Sequence, residues 1–74
     1  MKLYVTRDKI AQSVSPCFES PNDLTAIRTF SNAMKDQPLR EDYQLYAVGE
    51  IDKKTGKLTP EDPRLLYEIM EENK

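Results

Sequence analysis

Apolar and polar positions alternate over Leu3–Arg7, with Leu3 and Val5 on one side and Tyr4 and Thr6 on the other. A period of two predicts a strand with one buried face. Asp8-Lys9 reads as a turn, and a second strand is expected from about Ala11 to Phe18. Pro16 has no N–H to give to a ladder, so that strand belongs at a sheet edge or ends near this residue.

Ser20-Pro21-Asn22-Asp23 is the clearest helix start in the chain. A serine cap can accept from first-turn amides, proline suits the first helical position, and an acid three residues after the cap favours the positive end of the helix dipole. Asn22 is the alternative cap. Leu24, Ile27, Phe30 and Met34 follow on one side at helical spacing, with Ala26 and Ala33 at its margin; Thr25, Arg28, Thr29, Asn32 and Lys35 fall opposite. This is an amphipathic helix, and it should end before Pro38.

Tyr43–Asp52 carries the strongest strand signal. Its run Leu45-Tyr46-Ala47-Val48 is apolar on both faces, which places it centrally in a sheet. Gly49 within it predicts a bulge or a close backbone approach. Asp52–Gly56 reads as a hairpin loop with Gly56 at positive φ, followed by a short return strand at Lys57–Pro60. Asp62-Pro63 repeats the pattern of cap then proline, so a second helix is expected there, with Leu65, Leu66, Ile69 and Met70 as its apolar stripe. Glu71-Glu72 near its carboxyl end opposes the dipole, so its last turn should fray. That acidic helix could dock onto a basic partner or fold over the sheet to cover it.

The expected fold is therefore α+β in the order ββαββα: a small antiparallel sheet of about four strands, one main helix packed on it and a short C-terminal helix. Residues 1–74 form a single domain, with 67–74 as the frayed acidic tail.

Composition narrows the chemistry. The chain has 74 residues, of which 38% are apolar. A chain of this length hides only about 60% of its unfolded surface on folding. It has one cysteine, Cys17, and no histidine. No intrachain disulfide can staple the core and no zinc site can be built, so association into a homodimer is the expected reinforcement. Without histidine the usual base for nucleophilic catalysis is missing, and Cys17 reads as a small strand hydrophobe. The two glycines are too few for a phosphate loop. Asp52–Gly56 lacks the acidic ladder of a calcium loop. No enzymatic activity and no cofactor are expected. No signal peptide is legible at the amino terminus, and no stretch is long and apolar enough for a bilayer. A lone thiol fits a reducing cytosol.

Charge is uneven: residues 1–40 carry a net +2 and residues 61–74 a net −3, within an overall −2. Bulk charge therefore does not favour nucleic acid, although a local patch could. Tyr4, Tyr43 and Tyr46 lie on expected strands, and Arg7, Lys9, Lys53, Lys54 and Lys57 lie at the hairpin turns. Sheet aromatics with lysine-bearing loops are the parts of single-strand binders. They are also ordinary core-edge tyrosines and edge-guarding lysines. Arg28, Asn32 and Lys35 line the polar helix face, which is either a contact surface or simply solvated.

Two stretches carry a family resemblance. Pro21–Phe30 (PNDLTAIRTF) and Asp42–Gly49 (DYQLYAVG), the latter followed by Asp52, Thr55 and Gly56, resemble in order and spacing the small nonstructural protein of gokushovirus-type single-stranded DNA phages. The likeness spans about residues 3–66. It implies a protein of the host bacterial cytoplasm that acts in viral genome replication, single-strand synthesis or packaging. The implied partners are phage replication or packaging proteins or host replication proteins, with direct single-stranded DNA binding as the alternative. Most of the matching residues build the fold. Arg28 is the exception, as a functional contact or as a salt-bridge partner of Asp42.

Overall fold

The structure, a computed structural model, describes residues 1–69. Strand β1 spans Lys2–Asp8, β2 Ser13–Val14, β3 Phe18–Ser20, helix α1 Asp23–Met34, β4 Tyr43–Ile51 and β5 Leu58–Glu68; a 3-10 turn at Arg40–Asp42 precedes β4. All pairings are antiparallel. The order across the sheet is β2-β1-β4-β5, and β3 shares with β2 the outer edge of β1. The chain is thus α+β as expected, but the described order is βββαββ.

Pro16 is the reason the expected second strand is two short ones. On either side of it, Val14 pairs with Arg7 and Phe18 with Tyr4. The ladder is bridged at the gap by Ser15, whose N–H donates to the Thr6 carbonyl at 2.8 Å and whose Oγ accepts from the Thr6 N–H at 3.0 Å. Ala11 falls in the preceding turn, which Asp8 holds by accepting from the Ile10 and Ala11 amides.

Helix α1 is capped by Asn22, the second of the two caps considered, whose Oδ1 accepts from the Thr25 N–H at 2.8 Å. Ser20 is instead the buried last residue of β3. The helix buries Ala26 and Phe30, with Ile27 and Met34 beside them, and turns Leu24 and Ala33 to solvent. The expected stripe is therefore rotated. Asp23 accepts a hydrogen bond from the Tyr4 hydroxyl at 2.7 Å, which pulls the line 23–26–30 onto the sheet and leaves Leu24 outside it.

The largest departure is β5. Residues 62–68 form strand, not helix, and the expected short return strand continues to Glu68. A cap-then-proline signal is local and worth about 1 kcal/mol. Against it stands the whole outer edge of β4, whose backbone groups need partners. The hairpin at Asp52–Gly56 starts that pairing, with the Gly56 N–H donating to the Asp52 carbonyl and φ +80° at Gly56. Register shifts near Ala47/Gly49 and Leu45/Tyr46 accommodate Pro60, Pro63 and Leu66 within the ladder. The ladder skips Val48 beside Gly49, and Gly49 is the close backbone approach: a Cβ there would meet the Thr59 carbonyl oxygen at 2.6 Å. Met70 and the rest of the expected acidic tail lie outside the described residues.

The core lies between α1 and one face of the sheet. Tyr4, Ala26, Phe30, Leu45 and Ala47 are buried there, ringed by Phe18, Ile27, Met34, Tyr43, Leu66 and Ile69.

Candidate functional site

Alternation along β1 and β4 sends a second set of side chains to the face opposite α1, which carries no helix among the described residues. Val5 lies opposite Tyr46 and Arg7 opposite Gln44 across β1 and β4, while Leu65 of β5 lies opposite Tyr46 on its other side. Val14 joins this face opposite Arg7. Val5, Val14, Cys17, Tyr46, Val48 and Pro63, with Arg7 at the margin, line a cavity of about 370 Å³. An antiparallel sheet with one solvated face ordinarily turns polar residues outward. This one turns valines, a leucine and a tyrosine.

The polar groups sit at the two ends of the stripe. At one end the Tyr46 hydroxyl donates to Gln44 Oε1 at 3.4 Å, Gln44 Nε2 donates to Glu68 Oε2 at 3.4 Å, and Lys9 Nζ lies 3.4 Å from the same oxygen. At the other end Lys53 Nζ contacts both carboxylate oxygens of Glu19 at 2.8 Å. Asp52 lies beside this pair and holds the hairpin turn by accepting from the Lys54 N–H at 2.9 Å and the Thr55 N–H at 3.4 Å. The first of these bonds is the main reason its carboxyl is held below the ordinary carboxylate value.

The tyrosines expected on the sheet have three different fates. Tyr4 is fully buried under α1, and Tyr43 is half-buried against the same core. Tyr46 alone of the three faces the open side. The basic residues divide as well. Arg7 and Lys9 lie at the Gln44 end of β4, whereas Lys53, Lys54 and Lys57 gather at the hairpin beyond Ile51. Lys9 and Lys53 already face carboxylates, and Lys54 and Lys57 are exposed. Arg28 and Lys35 lie on the exposed side of α1, and among the described residues no ion pair joins Arg28 to Asp42. Among those residues there is also no group of three His, Cys, Asp or Glu that could hold a metal ion, and no helix is long and apolar enough to cross a membrane.

Val5, Val14, Val48 and Leu65 were not legible as a surface. The signal was present in Leu45-Tyr46-Ala47-Val48, apolar on both faces. That run implied two covered faces only while a second helix was available to cover one of them.

Among the described residues, a five-stranded antiparallel sheet covered by α1 on one face and apolar on the other defines a small α+β protein. The chain matches the family described as Phage ORF5 protein over residues 1–72 and belongs to that family, so it is a phage protein. None of the curated proteins and none of the solved structures matches it.

Proposed function

We propose that this phage protein is a nonstructural accessory factor of viral genome replication, single-strand synthesis or packaging, working in the host cytoplasm through protein–protein contact and without catalysis. The observation that carries this reading is the sheet face opposite α1, where, among the described residues, the exposed Val14 and Leu65 and the half-buried Tyr46 and Val48 form an apolar stripe around the buried Val5. Contiguous apolar surface rimmed by polar groups is the mark of a contact site. The family membership supports the phage setting, and the resemblance to gokushovirus-type proteins supports the replication setting.

Affinity capture of the tagged full chain from infected cells tests it. The expected result is recovery of a phage replication or capsid-assembly protein, or a host replication protein, identified by mass spectrometry and diminished by Leu65→Glu. Recovery of none of these under mild conditions overturns the reading.

Direct binding of single-stranded DNA is the second reading, favoured by the placement of Arg7 beside the one open-face tyrosine, Tyr46. Aromatic stacking with phosphate contacts would serve it. Fluorescence anisotropy with a labelled oligonucleotide at low salt separates the two. Binding that falls steeply with salt and weakens in Lys53→Ala/Lys54→Ala supports the DNA reading. No signal at tens of micromolar protein removes it.

A further inference from the structure

Resting on the reading of the sheet face opposite α1 as a protein-contact surface, we propose that its occupant is a second copy of this chain, the two faces closing into a sandwich with the helices outside.

Three observations favour self-pairing through the face. First, the sheet edges are poor templates for a second copy. β5 carries Pro60 and Pro63 and two register irregularities, and the opposite edge is interrupted at Pro16 between β2 and β3. Prolines and bulges are how natural sheets block edge-to-edge pairing. The middle of the face is open to a second copy in a different way: Val14, Val5, Tyr46 and Leu65 run across the sheet as aliphatic or aromatic side chains.

Second, the face suits a symmetric, reversible pair in size. Four strands at about 4.8 Å spacing and an apolar stretch of about six residues at about 3.3 Å each give a patch of roughly 20 by 20 Å. Covering it removes on the order of 500 Å² from each partner, under the ~800 Å² of a standard interface. An interface at this small end belongs with transient rather than permanent associations.

Third, the charges at the ends of the stripe complement each other under a two-fold axis. Among the described residues the half-buried Arg7 has no ion pair, and it marks one end of the β1 stripe. Glu19, opposite Leu3, marks the other end. A two-fold axis across the strands near Val5 and Tyr46 brings Arg7 of each copy onto Glu19 of the second copy, where it joins the Glu19–Lys53 pair. An isologous interface requires this self-complementarity, with each contact made twice. The closed pair would leave Arg28 and Lys35 on α1, and the exposed Lys54 and Lys57, away from the paired face.

Sedimentation velocity on the full chain tests the proposal from about 5 to 500 µM, a span that covers weak and transient pairs. The expected result is a mass rising from the 8.6 kDa of one chain toward twice that value. Leu65→Glu and Arg7→Glu should each weaken the pair at least tenfold, and adding Glu19→Arg to Arg7→Glu should restore most of the loss. Leu24→Glu, at an exposed apolar residue of the helix, should leave it unchanged. Far-UV circular dichroism confirms that each variant is folded. A wild-type mass of one chain throughout overturns the proposal, as does full pairing in Leu65→Glu or no recovery in the charge exchange. A monomer that still captures its replication partner removes only the self-pairing. A dimer that captures none removes only the replication role.

Discussion

The Tyr4 hydroxyl donates to Asp23 Oδ1 at 2.7 Å, joining the middle of β1 to the first turn of α1. Arg64 of β5 approaches the other Asp23 oxygen at 3.8 Å, so one carboxylate links three elements. Burial raises the Tyr4 pKa well above the ordinary phenolic value, and the hydrogen bond to Asp23 and its negative charge push it further the same way. The bond also holds the 23–26–30 side of α1 against the sheet.

A phenol whose pKa is raised in the folded state stabilises that state fully below its unfolded value of about 10. Above that value the unfolded chain releases the proton first, and stability is lost as pH rises toward the folded value. Urea melts should accordingly be insensitive to this group at neutral pH and show falling midpoints above about pH 10. Tyr4→Phe should cost about 1 kcal/mol at pH 7 through the lost hydrogen bond. It should also flatten the alkaline limb; an equally steep limb in the variant would sink the assignment.

Gly49→Ala should be among the most damaging single methyl additions. The new Cβ would lie 2.6 Å from the Thr59 carbonyl oxygen and 3.1 Å from the Pro60 Cα, both backbone atoms with little room to yield, and φ is +155°. The expected loss is about 2–3 kcal/mol, read as a fall in the thermal midpoint. Gly56→Ala meets no neighbouring atom and is opposed only by its φ of +80°, so it should cost less, about 1 kcal/mol.

Asn22→Ala removes the acceptor for the Thr25 N–H and should cost about 1 kcal/mol, with Asn22→Ser close to neutral. Ser20→Ala tests the competing cap. The Ser20 hydroxyl donates only to the Asn22 carbonyl at a long 3.4 Å, so its loss should be felt less. The ranking by chemical denaturation checks which residue begins the helix.

Phe30 and Tyr67 meet edge to face at 6.0 Å with an interplanar angle of 83°. A double-mutant cycle with Phe30→Leu and Tyr67→Leu should return a coupling of about 0.5–1.5 kcal/mol. No coupling would mean that residues near 67 do not lie against α1 as β5 places them.

What could be read from the sequence alone was whatever is decided within a few residues. Strand β1, the apolar spacing of α1, the Gly56 turn and the close approach at Gly49 each follow from local backbone preference and short-range periodicity. Asn22 against Ser20 was already a matter of two residues competing for one set of amides. The dual-faced run in β4 showed that both sides of the sheet carry apolar groups.

The fate of residues 62–68 was not local. Asp62-Pro63 favours a helix start by about 1 kcal/mol, whereas the edge of β4 offers a ladder of backbone hydrogen bonds to any segment that the hairpin delivers beside it. The hairpin delivers β5, and among the described residues no second helix covers Val14, Tyr46 and Val48. The same choice of partners buries Tyr4, separates Arg7 and Lys9 from Lys53, Lys54 and Lys57, and leaves Tyr46 on the open side. Residue types and their order determined β1, α1, the Gly56 turn and the absence of histidine chemistry; the pairing of β4 with β5 decided which face this protein presents, because a buried strand edge outweighs a helix cap.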